Sequence, residues 1–178
     1  VIASEARVDR IALLYSPASF RARWMLDHRH LGDRWIERDA EREHEDGTAL
    51  RTATSGFLNA VRGAGYQPYF ITEQQVEQGL AGPGAPRVLV LPHVLALSDA
   101  AATSIATLAA GGGIVVADIV AGQFDQHVRR RSRPALQTLF AQGGRGRLLD
   151  PARQPEAAET MRRIARDAGL APPVTLTD

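Results

Sequence analysis

The sequence contains no cysteine. Disulfides, thiolate metal sites and cysteine nucleophiles are therefore excluded, and the composition fits a reducing compartment such as the cytoplasm. Lysine is missing as well, and all 21 basic residues are arginine. That excludes a lysine Schiff base and a P-loop lysine. No apolar run approaches the roughly 18 residues of a membrane-spanning helix. No G-x-G-x-x-G follows the first apolar run, where Tyr15-Ser16-Pro17 stands instead, so a dinucleotide loop is not expected. No G-x-S-x-G elbow occurs, which disfavours a serine hydrolase. An excess of one charge is also lacking. With 20 acidic residues and a net charge of +1, the chain does not read as a dedicated nucleic-acid binder. It starts at Val1 without a methionine or a signal-peptide pattern, which points to a processed chain or a domain cut from something longer.

What is present fits one globular domain. The length is 178 residues, with 44% apolar and 23% charged residues. Arg10–Tyr15, Arg87–Pro92 and Ile114–Ala117 are short apolar runs bounded by turn residues, as buried strands are. Tyr66–Thr72 reads as another strand, and Pro68 places it at an edge or at the strand's entry. Arg147–Leu149 is a short fifth candidate. Helices are expected over 20–31, 48–64, 73–80, 98–110, 133–142 and 156–168. In the second of these Leu50, Ala53, Phe57, Leu58 and Val61 form one stripe, and in the last Ala158, Met161, Ile164, Ala165 and Ala168 do. Gly111 to Gly113 precede a strand and read as a helix stop. The stretch 32–47 is crowded with charge and reads as an exposed excursion, and 170–178 reads as a loose tail. Apolar strands alternating with helices predict an α/β fold with a mostly parallel, doubly wound, flavodoxin-like sheet, with Arg10–Tyr15 and Arg87–Leu91 in its interior.

Ligands of such sheets bind beyond the carboxyl ends of the strands, near the switch point. That rim collects Ser16, His93, Asp118 and Asp125. His93 directly follows a strand and is the best single candidate for proton relay or carbonyl polarisation; a hydrogen bond to a loop is the alternative. Asp118 ends the next strand and is placed to accept a bond from His93 or to cap a loop. His28 and His30 lie near Asp27 and Asp33, and His44 near Glu41, Glu43 and Glu45. Neither group has the H-E-x-x-H spacing that sets two ligands on one helix face, so no metal site is expected. Arg129, Arg130, Arg131 and Arg133 form the sharpest charge run. It reads as a solvated loop, an interface ion-pair cluster or a grip for phosphate or carboxylate. Phe20, Trp24 and Trp35 gather in the first excursion, where core packing and interface packing both remain open.

The order of segments resembles a known family. "IALLYSPASFRARWMLD", "ATSGFLNAVRGAGYQPYFIT", "RVLVLPHVLALSDAAATSIATLAAGGGIVVAD" and "AGQFDQHV" are similar to successive segments of the trimerisation domain of family 42 β-galactosidases. Tyr15, Ser16, Trp24, Gly65, Pro92, Ser98, Gly112, Gly113, Val116, Gly122 and Asp125 stand at matching places over residues 9 to 130. The charged excursion from Trp35 to Gly47 departs from the family. The resemblance implies a class I glutamine-amidotransferase-like fold without amidotransferase chemistry. Active amidotransferases carry a cysteine on the turn that here holds Asp118, Ile119 and Val120. The family's catalytic glutamates lie in a separate barrel, so no residue here would inherit their role and no cofactor is implied. The implied partners are further copies of the chain, in the family a trimer, and that barrel; nucleic acid and membrane are not implied. The implied function is assembly. An independent amidotransferase-like enzyme or small-molecule sensor built around His93 is the alternative. Phe20, Trp24, Trp35, Arg129, Arg130 and Arg131 are the expected contact residues.

Overall fold

The computed structural model describes residues 9–29, 32 and 49–171. Five strands form one sheet: β1 (Ile11–Tyr15), β2 (Tyr69–Thr72), β3 (Val88–Leu91), β4 (Ile114–Ala117) and β5 (Gly146–Leu148). Their order is β2-β1-β3-β4-β5 and every pairing is parallel. The register sets Leu13 beside Phe70, Ala12 beside Leu89, Val90 beside Val116 and Val116 beside Arg147. This is the doubly wound, flavodoxin-like arrangement the alternating pattern predicts. β1 and β3 lie inside it because their residues are apolar on both faces. Pro68 immediately precedes the edge strand β2, where its missing N–H breaks no ladder.

The pleat divides the strand side chains between two layers. Ile11, Leu13, Val88, Val90, Ile114 and Val116 pack with Phe57, Val61, Met161 and Ile164 from helices α2 (Ala49–Gly63) and α5 (Glu156–Asp167). Ala12, Leu14, Leu89, Leu91, Val115 and Ala117 meet Val76 of the short α3 (Glu73–Glu77) and Ile105 of α4 (Asp99–Ala110). Burying a side chain such as Phe57 contributes roughly 1.5–3 kcal/mol in transfer free energy alone. The expected stripes of α2 and α5 are the buried ones, apart from a partly buried Leu58. Gly56 lets the chain after β5 approach α2 closely, since a Cβ there would stand 2.7 Å from the Pro151 carbonyl oxygen. Ser98 caps α4, its hydroxyl accepting the Ala101 N–H at 3.1 Å, and Gly112 leaves that helix at φ +97. No described helix is long and apolar enough to cross a membrane.

Several boundaries differ from the sequence expectation: β2 begins at Tyr69 rather than Tyr66, α3 ends at Glu77 rather than Leu80, and β5 is shifted one residue to Gly146–Leu148. The first helix, α1 (Pro17–His28), begins three residues early. Ser16 is its N-cap, accepting the Ser19 N–H at 3.0 Å, and Pro17 occupies the first turn, where a missing N–H costs nothing. No helix spans 133–142; only one 3-10 turn forms, at Gln137–Phe140. The N–H groups of Ala135 and Leu136 are drawn instead to the carbonyls of Gly122 and Ala121, and Leu136 enters the core. Of the expected tail, the first residue is part of the packed domain. Leu170 packs against the core and its N–H reaches the Ala165 carbonyl at 2.9 Å, while 172–178 lie outside the described residues.

Candidate functional site

At the carboxyl end of β3 the chain turns through Pro92 and His93, and His93 takes φ +46. A left-handed conformation costs a residue with a side chain about 1–2 kcal/mol. Asp118, just past the neighbouring β4, offsets that cost with both carboxylate oxygens. One accepts the His93 backbone N–H at 2.6 Å, and the other lies 2.8 Å from the ring Nδ1. Facing a carboxylate, Nδ1 carries the proton. Both side chains are largely buried. The opposite ring nitrogen, Nε2, is buried and has no hydrogen-bond partner among the described residues.

The switch point between β1 and β3 is covered by the chain itself. Val94, Leu95, Ala96 and Leu97 are all buried. They pair with the segment after β4: Gly122 N–H donates to the Val94 carbonyl at 3.0 Å, Phe124 N–H to Leu95 at 2.9 Å, and Leu97 N–H to Phe124 at 3.0 Å. Gly122 sits at φ +80, and a Cβ there would stand 2.8 Å from Ala135 Cβ, so glycine is required. The other side of this cover is tied to α1. The Ser19 hydroxyl lies 3.1 Å from both the N–H and the carbonyl of Ala96, accepting from one and donating to the other. The Ser16 hydroxyl donates to Glu73 Oε1 at 2.6 Å. Burial pushes the Glu73 carboxyl above the usual carboxylate range, opposed by the Ser16 bond and the Ala18 backbone N–H.

The remaining candidates scatter. Asp125 is not brought to His93. Its carboxylate accepts the backbone N–H groups of Arg129 and His127, each at 2.9 Å, and these bonds hold it below the usual carboxylate range. It shapes a loop in which Val128 takes φ +62, strained for a β-branched residue. The arginine run is split. Arg131 turns inward, pairing with Asp99 at 2.7 Å and donating to the Leu97 carbonyl at 3.0 Å. Arg129 and Arg130 stay exposed. Phe20 and Trp24 project from the outer side of α1, Phe20 against Tyr15 and Trp24 stacked on His28. Trp35, His30, Asp33 and the stretch holding Glu41, Glu43, His44 and Glu45 lie outside the described residues. Sequence reasoning missed Ser19, Glu73 and Ala96. A serine three residues after Ser16, on the first turn of a helix, was the available signal for Ser19.

Comparison with solved structures agrees with this architecture. An apo exo-carrageenase GH42 from Bacteroides ovatus superposes with a TM-score of 0.55 at 11% identity, covering 89% of this chain and 17% of that one. A polyextremophilic β-galactosidase from the Antarctic haloarchaeon Halorubrum lacusprofundi gives 0.48 at 16% identity, over 75% and 17%. The β-galactosidase from Bifidobacterium adolescentis gives 0.44 at 22%, over 70% and 46%. The fold of this chain is one found within the exo-carrageenase. The chain spans less than half the length of each of these proteins. No protein-family model and no curated protein sequence matches it.

Proposed function

We propose that residues 1–178 form a non-catalytic assembly domain of a cytoplasmic glycoside hydrolase related to the family 42 β-galactosidases, joining copies of the chain and a catalytic barrel. The observation that carries this reading is the sealed strand-end rim. The resemblance places an amidotransferase nucleophile on the turn after β4, and Asp118 stands there with both oxygens engaged by His93. Val94–Leu97 are buried at the strand ends, where ligands of such sheets ordinarily bind. Among the described residues, the carboxyls near these strand ends are tied to neighbouring side chains, Asp118 to His93, Glu73 to Ser16 and Glu77 to Ser98. The outer side of α1 supplies the contact surface, with Phe20 and Trp24 as anchors.

The test measures turnover and mass together. The 178-residue chain is expected to hydrolyse neither a nitrophenyl galactoside nor glutamine, and to associate with concentration in light scattering. Turnover abolished by a substitution within the chain, or a monomer at every concentration, would sink the proposal. A second reading, a small-molecule sensor at His93, is favoured only by the unpartnered buried Nε2. It requires a saturable ligand-induced change in the His93 ring signals by NMR, with ligand binding by calorimetry lost in His93→Phe.

A further inference from the structure

The α1 helix wears its large apolar side chains on the wrong side for a monomer. Its buried residues are Ala18, Ser19 and Ala22 only. Met25 is 53% exposed, Phe20 42% and Leu26 41%. A surface helix ordinarily turns such residues inward. Tyr15, 49% exposed, extends the patch through its ring contact with Phe20 at 5.7 Å. Alongside runs an open groove of about 640 Å³, its floor and walls including Ala22, Met25, Leu26, Phe124 and Val128.

Among the described residues, the exposed charges flanking this patch are arginines. Arg21 and Arg29 stand on or just past α1, and Arg129 and Arg130 follow Val128 on the loop across the groove; all four are exposed. The acids nearby are engaged. Asp27 is paired with Arg23 on the same helix. Asp125 holds the backbone of its own loop, and Glu73 takes the Ser16 hydroxyl.

We infer that this face docks a protein segment presenting apolar side chains flanked by carboxylates, and that the contact is not the face meeting itself. The inference rests on the assembly reading and adds to it the sign and the asymmetry of the contact. A two-fold contact sets a patch on its own copy. Here that would oppose arginine to arginine around an apolar centre, an arrangement that disfavours association. Carboxylates match the planar guanidinium fork two bonds at a time. The apolar centre within a charged rim is the general anatomy of a protein contact.

The experiment uses the 178-residue chain and two dye-labelled synthetic peptides. One has leucines and a tryptophan flanked by glutamates; the other has lysines in their place. Fluorescence anisotropy is expected to show saturable binding of the glutamate peptide only, weakening as salt is raised. The double variant Arg129→Glu with Arg130→Glu should weaken it about tenfold or more, equivalent to at least one decade in Kd. Met25→Ala with Leu26→Ala should weaken it as well, with circular dichroism unchanged in both. Failure to bind the glutamate peptide, equal binding of the lysine peptide, or binding that survives the charge reversal would overturn the inference. Light scattering separates the two proposals. An oligomer that survives the arginine reversal but disperses in the Met25→Ala, Leu26→Ala variant overturns the acidic-partner inference and leaves assembly standing. A permanent monomer that binds the glutamate peptide does the opposite.

Discussion

Helices α2 and α5 cover one face of the sheet in a different physical manner from the way α1 covers its strand ends. The first pair contributes large side chains inward, and Phe57, Val61 and Met161 are wholly buried. That attachment is strong and non-directional, proportional to apolar area removed from water. The α1 helix contributes only small residues inward and is held by the hydroxyls of Ser16 and Ser19 on Glu73 and Ala96. Each such bond is worth about 0.5–1.5 kcal/mol net, but it fixes one geometry. Its small residues Ala18 and Ala22 meet Leu95 and Ala96, and its large side chains Phe20, Met25 and Leu26 stay exposed.

Substitutions can break that contrast, and the largest effect belongs to the apolar side. Phe57→Ala should cost about 3–5 kcal/mol in urea unfolding, through lost burial and an unfilled cavity. A cost below 1 kcal/mol would mean that α2 is not anchored as described. Ser19→Ala should cost about 1–3 kcal/mol, because both polar groups of the buried Ala96 lose their partner. Its signature is local: the Ala96 amide should exchange with solvent faster while Phe57 amide protection changes little. Uniform acceleration across both layers would erase the distinction between the two attachments.

The Glu73 carboxyl offers a pH test. Because burial raises its pKa in the folded protein, the protonated form is favoured by folding, and stability falls as pH rises from the ordinary carboxylate range through the raised value. Glu73→Gln keeps an acceptor for Ser16 and removes the ionisation. Its stability relative to wild type should therefore improve with rising pH across that window; a difference flat in pH would count against the burial argument. The smallest effect is expected on the outer side of α1. Met25→Ala should change unfolding stability by no more than about 0.5 kcal/mol, since the side chain is exposed. A loss above 2 kcal/mol would show that Met25 packs within its own domain.

The sheet was legible because β1, β3 and β4 are apolar at every position but one, Tyr15, and runs this short between turn residues read as strands buried on both faces. The meeting of His93 and Asp118 was legible too, as both directly follow neighbouring strands. The bond between Ser19 and Ala96 was not, for it joins residues 77 apart through a loop whose path no local pattern encodes. Ser16-Pro17 carried the start of α1, but the same dipeptide also ends strands. In 133–142 helical spacing was present, yet the N–H groups of Ala135 and Leu136 bond to Gly122 and Ala121 on a distant loop, a pairing that no local pattern encodes. The arginine run appeared as one cluster in sequence, whereas the loop turns Arg131 toward Asp99 and its neighbours toward water.

The grip of Asp118 on His93 also bears on how this domain can change over generations. Consider the single step that would put a thiol at the turn after β4, Asp118→Cys. The thiol would be a poorer acceptor for the His93 N–H and ring, and the turn would keep its left-handed strain without its compensation. Val94–Leu97, which follow the His93 turn, would remain buried beside it. Loss of the Asp118 carboxylate therefore takes from the His93 turn its compensation, whichever residue replaces it.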